Sequence, residues 1–347
     1  MKKLIFRLIL LFVCTSFTFD GVFAQGGLFK TQDPLSVEFS FSIKQLRSET
    51  NDSTYIDSKM IYEVSPGVTD TLDIEIRTRG NFRLDNCFYP PMRVKMKKDD
   101  IENTLFKGDR SLKLVLPCSK SKTADSFLGK EFLSYKLYEE ATPYFFRTRL
   151  LRVKLVNTDE KKGEVVDLLG FFIEDDDEVA DRFDGEILDG KKIIPTLMED
   201  TATVRHDFFQ MMIGNTDWSG LFQHNQKVMK LDQRTIVPIA YDFDMTGLVN
   251  PPYAQVNSSV GIERVTDRVY RGFCRSPELM QTIRQEFLAK EDRILGLVNE
   301  YKAYYSEADL KAVSSFLNEF YDLLKSDKLF KQQILDKCRK ADGSQSF

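Results

Sequence analysis

Apolar and polar residues alternate along the part of the chain that follows residue 34, and this alternation predicts β-strands. The stretch LSVEFSFSIKQL at residues 35–46 places an apolar side chain at almost every second position, as in a strand with one buried face. The same pattern recurs in KMIYEVS and in DTLDIEIRTRG, which the turn-forming PGVTD separates. PPMRVKMKK and RSLKLVLP are two more candidates. The first part of the chain is therefore predicted to be rich in strands.

The spacing of apolar residues then changes along the chain. Residues 125–141, DSFLGKEFLSYKLYEEA, repeat apolar side chains at helical spacing, whereas RTRLLRVKLVNT and LLGFFIED return to strand character. Helical patterns dominate after about residue 178, apart from one predicted hairpin of two short strands at 224–244. We therefore predict an α+β protein with a β-rich region at 25–178 and a mainly helical region at 179–347.

The first 24 residues have the pattern of a signal peptide. A basic MKK precedes the mostly apolar LIFRLILLFVCTSF, and VFA before Gln25 is a suitable cleavage site. The alternative is an uncleaved membrane anchor, although the apolar run is short for a bilayer span. The expected product is periplasmic or extracellular, with no stable membrane span after cleavage.

Export changes how the cysteines are interpreted. Outside the signal segment the chain has Cys87, Cys118, Cys274 and Cys338. An even number in an oxidising compartment favours disulfides, and the spacing does not match a zinc site. We favour Cys87–Cys118, and four buried free thiols are the alternative.

Composition excludes some classes of protein. The 347 residues are 42% hydrophobic, enough for a sizeable core. The formal net charge is −4 and no long basic tract occurs, which argues against a nucleic-acid partner. Ser134, Ser219 and Ser258 lack the nucleophile-elbow setting of a serine hydrolase, which argues against that class of enzyme.

Carboxylates and an amide gather in a short part of the second half of the chain. Asp217 and Asn225 lie in IGNTDWSGLFQHN, and Asp242 and Asp244 lie in YDFDMTG. The predicted hairpin between them returns the chain to its start, which would bring Asp217, Asn225 and Asp242 together. Such groups suit phosphoryl transfer, which needs oxygen ligands for Mg²⁺ and an acidic residue near the nucleophile. Solvated turns are the alternative.

The first half supplies cations that could contact phosphate. They alternate along predicted strands as Arg77 and Arg79, then Arg93, Lys95 and Lys97, and Lys113 follows in the next strand. Glu131 on the predicted helix could orient one of the lysines. A β-rich part followed by a helical part is also how a bilobal, kinase-like fold is organised.

Six stretches follow one another between about residues 70 and 250: IRTRGNFR, PPMRVKMKK, LFKGDRSLKLVL, FLGKEFLSYKLYEEATPYFFRTRLLRVKLVN, GFFIED and IGNTDW…HN…VPIAYDFD. In wording and order they resemble the motifs of the spore coat protein H (CotH) family of atypical secretory kinases. The resemblance implies a bilobal atypical protein-kinase-like fold, with a β-rich N-lobe and a helical C-lobe. It also implies an enzyme that uses ATP and Mg²⁺ to phosphorylate a hydroxyl of an exported protein.

The same resemblance implies roles for individual residues. Asp217 would be the catalytic acid, and Asn225 and Asp242 would hold Mg²⁺ with the support of Asp244. Contacts to ATP would come from five residues: Lys95 as the first choice for phosphate, Lys113 as the second, Arg79, Glu131 as the partner of a lysine, and Glu174 near adenine.

Two alternatives to protein phosphorylation remain open. Trp218 and Ser219 follow Asp217, where the family often has a basic residue or histidine. This departure favours a non-catalytic pseudokinase that acts as an envelope scaffold or adhesin. Transfer of AMP would use the same site with ATP in another orientation. The sequence does not name an acceptor, an envelope partner or an oligomeric state.

Overall fold

A computed structural model describes residues 27–159 and 163–340. The predicted signal peptide and Cys14 lie outside the described residues. Up to residue 173 the elements are β1 (Leu35–Phe41), α1 (Ile43–Glu49), β2 (Ile56–Ser65), β3 (Val68–Thr78), α2 (Phe82–Asn86), β4 (Met92–Met96), α3 (Lys98–Ile101), β5 (Ser111–Val115), α4 (Ala124–Ala141), β6 (Thr148–Asn157) and β7 (Glu164–Ile173).

The later elements are mostly helical, as the sequence predicts. They are α5 (Asp176–Asp181), β8 (Glu186–Ile187), α6 (Asp200–Met212), β9 (Gln226–Lys230), β10 (Ile236–Ala240), α7 (Pro277–Ala289), α8 (Glu291–Glu300), α9 (Glu307–Lys325) and α10 (Asp327–Gln333). Short 3-10 helices occur at Pro195–Leu197, Ser258–Val260, Lys302–Tyr304 and Leu335–Lys337. Strands β8, β9 and β10 form a small separate sheet.

The first seven strands close into a barrel in the order β1-β2-β3-β4-β5-β7-β6. Strand β1 completes it, because it pairs antiparallel with β2 on one side and parallel with β6 on the other. The parallel pairing runs along the whole of β1, from Leu35 opposite Leu151 to Phe41 opposite Asn157.

The expected bilobal, kinase-like fold with a sheet as its N-lobe is therefore wrong. The chain does combine strands with helices, but its amino-terminal strands form a closed barrel. Alternation along a strand shows which side chains face inward, and it does not specify which distant strand becomes the neighbour. The first predicted strand is also shorter than expected, since it ends at Phe41. Ser42 then caps α1 by accepting a hydrogen bond from the Gln45 amide.

Aromatic side chains fill the barrel. Phe172 meets Phe39 and Phe106 edge to face, with ring centroids 6.5 and 6.3 Å apart, and Phe106 lies 5.0 Å from Tyr62. All four are at most 2% exposed. The interior is a packed core, as in other small barrels.

Helix α4 connects the barrel to the helical part of the chain. Its Tyr135 packs on Phe171 of β7 with centroids 5.6 Å apart, and its Tyr138 packs on Phe209 of α6 at 4.6 Å. Because both faces of α4 are covered, most of its residues are buried, including Glu131. This position carries a carboxylate into the interior beside the candidate site.

Two disulfides are present. The predicted Cys87–Cys118 bridge is confirmed, and Cys274 pairs with Cys338. Across the described ranges, every helix is too short or too polar to cross a bilayer.

Candidate functional site

The carboxylates and the amide singled out in the sequence meet in one cavity of about 240 Å³. Its wall comes from the segment after β3, from α2, from α4, from the loop after α6 and from the segment after β10. The lining residues that carry chemistry are Arg79, Arg83, Glu131, Tyr135, Asp217, His224, Asn225, Tyr241, Asp242 and Asp244. Sequence elements that are far apart in the chain thus supply one polar site.

Local backbone geometry places Asp217. Helix α6 stops at Met212, and Gly214 follows in the left-handed region with φ of 62°, which glycine adopts without a steric penalty. The Asn215 side chain then accepts a hydrogen bond from the Asp217 amide at 2.9 Å. This turn directs the chain away from the helix and into the cavity wall.

A narrow hairpin lies between Asp217 and Asn225. Ser219 and His224 exchange two backbone hydrogen bonds of 3.0 and 3.1 Å, so the chain reverses over four residues. The Asn225 side-chain amide donates to the Asp217 carbonyl at 2.7 Å and to its carboxylate at 3.1 Å. His224 Nε2 lies 3.0 Å from the other carboxylate oxygen. The hairpin thereby holds both side chains against Asp217.

Strands β9 and β10 then bring Asp242 back to Asn225, as the predicted hairpin requires. Gln226 pairs with Ala240, and the Tyr241 amide donates to the Asn225 carbonyl at 3.2 Å. Asp242 has φ of 64°, a conformation that is costly for a residue other than glycine. Its amide donates to the Tyr135 hydroxyl at 3.0 Å, which helps to hold it there.

Arg83, Glu131 and Asp244 form the buried side of the cavity. The Arg83 guanidinium donates to Glu131 at 3.1 Å and to the Leu116 carbonyl at 2.6 Å. Its Nε lies 3.9 Å from Asp244 Oδ2, and neither of these two atoms has a hydrogen-bond partner among the described residues. One buried arginine therefore faces two buried carboxylates.

The ionisation of these groups follows from their surroundings. Burial raises the pKa of Glu131 to about 8, and burial together with the charge of Asp242 raises the pKa of Asp244 to about 7. Burial alone would lower the pKa of Arg83, but Glu131 and Asp244 raise it overall. Both raised pKa values mean that these carboxyl groups hold protons near neutral pH, and a cation bound in the cavity would favour their charged forms.

The pKa values of Asp217 and His224 are shifted by their mutual hydrogen bond. The hydrogen bond from His224 lowers the pKa of Asp217, and the same bond raises the pKa of His224. Asp217 is therefore ionised at neutral pH and oriented by two neighbours.

The predicted phosphate contacts are only partly brought together. Arg79 lines the cavity and forms no ion pair among the described residues. Lys95 lies on the outer surface of the barrel, 3.9 Å from Glu75 and over the Tyr55 ring. Its position follows from the alternation of β4, in which Val94 and Met96 take the inward positions.

Lys113 and Glu174 have other partners. Lys113 is buried, forms an ion pair with Asp176 and lies over the Phe146 ring at 4.3 Å. Glu174 is completely buried and forms ion pairs with Arg147 at 2.6 Å and Arg182 at 2.9 Å. Neither side chain lines the cavity.

Arg83 is the residue that sequence reasoning missed. It belongs to the IRTRGNFR stretch, but strand alternation directed attention to Lys95 and Lys113 as partners of Glu131. Arg83 lies instead on the five-residue helix α2. The available signal was the basic residue two positions after RGN.

The cavity contains oxygen donors of the kind that Mg²⁺ prefers. No group of three or more His, Cys, Asp or Glu in the described ranges can hold a metal ion by itself. Mg²⁺ is commonly bound through one or two carboxylates together with substrate phosphates. Asp242, the unpartnered Asp244 Oδ2 and the Asn225 amide oxygen supply suitable donors.

No model of a known protein family matches the chain, and no curated protein is significantly similar to it. The resemblance to the CotH family therefore stays a prediction.

Proposed function

We propose that this chain is an exported phosphotransferase that uses ATP and Mg²⁺ to phosphorylate a protein hydroxyl, as its resemblance to CotH proteins implies. The observation that carries the proposal is the meeting of Asp217, Asn225 and Asp242 in one cavity with Arg79 and Arg83. Cations for phosphate, oxygen donors for a metal and an ionised acid are the groups that this chemistry requires.

Asp217 would orient the acceptor hydroxyl. The bond from the γ-phosphorus to the oxygen of ADP breaks, a new bond to the hydroxyl oxygen forms, and the hydroxyl proton passes to Asp217. Its lowered pKa makes it a weak base. A weak base suffices, because little bond formation to the nucleophile has occurred in a loose phosphoryl-transfer transition state.

Asn225, Asp242 and Asp244 would hold the metal, and the two arginines would contact phosphate oxygens. Bound Mg²⁺ would neutralise charge on the phosphates. Arg79 is the more accessible cation, because Arg83 is committed to Glu131 and the Leu116 carbonyl. The two disulfides support action outside the cytoplasm, where such bonds persist.

A second candidate is a non-catalytic nucleotide-binding scaffold. No lysine lines the cavity in the described part of the chain, and Lys113 is committed to Asp176. Trp218 is buried beside Asp217, and the Arg271 guanidinium donates to the Trp218 carbonyl at 2.9 Å. These contacts favour a rigid loop without a mobile phosphate-binding lysine.

Thermal melting with ATP and Mg²⁺ tests the proposal. A ligand at 100 times its Kd stabilises the folded state by about 2.7 kcal/mol, so we expect a clear rise in melting temperature. Asp242→Asn should abolish this rise and lower phosphate transfer at least about 100-fold, about 2.7 kcal/mol in the barrier.

Asp57→Asn is the matched control, because Asp57 is an exposed carboxylate on β2 outside the cavity. It should melt and respond to ATP as the wild type does. A rise in melting temperature without transfer to any protein or peptide would favour the scaffold. No rise at millimolar ATP would exclude both functions.

A further inference from the structure

The hairpin between Asp217 and Asn225 exposes two large apolar side chains at its tip. Leu221 is 36% exposed and Phe222 is 65% exposed. The hairpin is fixed by the paired hydrogen bonds of Ser219 and His224. Exposed apolar side chains that form a contiguous patch on a folded protein mark an interaction surface.

A second segment with exposed apolar side chains is tied to this hairpin. The Gln223 side chain donates to the carbonyls of Leu188 and Lys191, both at 2.7 Å, and thereby ties the tip to residues 188–197. That segment exposes Ile194 at 54% and Leu197 at 64%. We call these four side chains, Ile194, Leu197, Leu221 and Phe222, the apolar rim.

Two lysines, Lys191 and Lys192, lie in the same segment as part of the apolar rim. Lys192 Nζ lies 5.4 Å from the centre of the Phe222 ring. Lys191 and Lys192 are exposed and form no ion pair within residues 27–159 and 163–340. Nearby Asp189 is already neutralised by Lys227 at 2.6 Å. A ligand on the rim would therefore gain from an acidic group beside its apolar one.

The chain connects the apolar rim directly to the candidate site. Asp217 precedes the tip and Asn225 follows it, and both line the cavity. A molecule that covers Leu221 and Phe222 would therefore lie at the tip of the hairpin whose two ends carry Asp217 and Asn225.

We propose that the apolar rim docks the acceptor, and that the acceptor is a protein segment with a large apolar side chain and an acidic residue close to its hydroxyl. This inference rests on the proposed function, which gives the hydroxyl its role. A protein is favoured over a sugar or a small polar metabolite, because polar acceptors gain nothing from exposed leucine and phenylalanine. Truncating the rim should weaken acceptor binding without changing nucleotide binding.

Labelled peptides with one central serine test the inference. Every peptide carries glutamate on one side of the serine, and the residue on the other side is leucine in one set and glutamine in the other. Fluorescence anisotropy measures binding, and phosphate incorporation from ATP measures transfer. The wild type should bind the leucine set at least about tenfold more tightly, and Leu221→Ser/Phe222→Ser should remove that preference.

Val64→Ser/Val68→Ser is the matched control. Val64 and Val68 are 45% and 55% exposed and lie at the turn between β2 and β3, outside the cavity. This variant should keep the preference, and both double variants should keep the rise in melting temperature with ATP and Mg²⁺.

The outcomes separate this inference from the proposed function. No rise with ATP in the wild type would overturn the proposed function, while a rim-dependent leucine preference would still support docking. Equal binding of both peptide sets, or equal loss in both double variants, would overturn the inference. Rim-dependent sedimentation with phosphatidylglycerol vesicles, or a dimer that only the rim variant disrupts, would overturn it too by identifying a different occupant.

Discussion

Removing the Cys87–Cys118 bridge should destabilise the fold. The size of the effect depends on the length of the chain segment that the bridge closes. Cys87 directly follows α2, which carries Arg83, and Cys118 follows β5. The Phe88 amide also donates to the Cys118 carbonyl at 2.7 Å, so the two segments already touch through the backbone. Cys87→Ala/Cys118→Ala removes the covalent link and leaves that hydrogen bond in place.

The magnitude follows from the entropy of the unfolded chain. The bridge joins residues separated by 31 positions, and Cys274–Cys338 joins residues separated by 64. The chain-entropy relation gives about 3.7 kcal/mol for the first and about 4.3 kcal/mol for the second. The two double-alanine variants should therefore lose similar stability, with the larger loss for Cys274→Ala/Cys338→Ala.

Guanidinium denaturation of the wild type and both variants measures the free energy of unfolding. Alkylation of the wild type without reductant, followed by intact mass, confirms that no thiol is free at the start. A loss below about 1 kcal/mol in either variant would refute the loop-entropy reasoning. A loss in Cys87→Ala/Cys118→Ala that is more than about 1 kcal/mol larger than the loss in Cys274→Ala/Cys338→Ala would also refute it. Contacts around α2, and not loop entropy, would then determine the loss of stability.

Two further substitutions test buried carboxylates away from the cavity. Burial raises the pKa of Asp109 to about 6 and that of Glu178 to about 9, so the folded state holds protons that the unfolded chain releases above about pH 4. The free energy of unfolding should fall as pH rises from 5 to 9, and Glu178→Gln should flatten that fall in melts across the range. Glu174→Gln leaves Arg147 and Arg182 without their buried partner and should cost about 3–5 kcal/mol by denaturation. It should not change the response to ATP, and a lost response at full stability would instead support the predicted adenine contact.

Local patterns in the sequence were sufficient to predict most strands and helices. The alternation of β3 and β4 and the helical spacing of α4 are visible in the sequence because a half-buried strand and a packed helix each impose a period. The parallel pairing of β1 with β6 was not predictable, because it depends on residues far apart in the chain. For this reason the elements were predicted well and their arrangement was not.

The candidate site was likewise predictable where its residues are close in sequence and not where they are far apart. Asp217, Asn225 and Asp242 meet because a short hairpin, whose ends are close in sequence, returns the chain to its start. The partner of Glu131 was not predictable in this way, because Arg83 reaches it from α2, 48 residues earlier in the chain. Lys95 and Lys113 alternate correctly on their strands, but β4 turns one outward and Asp176 holds the other.

The closure of the barrel by β1 has a consequence for synthesis. Strand β1 leaves the ribosome before its parallel partner β6, which follows only after β5 and α4 have been made. Until then one edge of β1 has no strand to pair with, and an open edge can join another chain. A topology with such distant contacts folds slowly. The nascent protein should therefore depend on a holding chaperone until residue 157 has emerged.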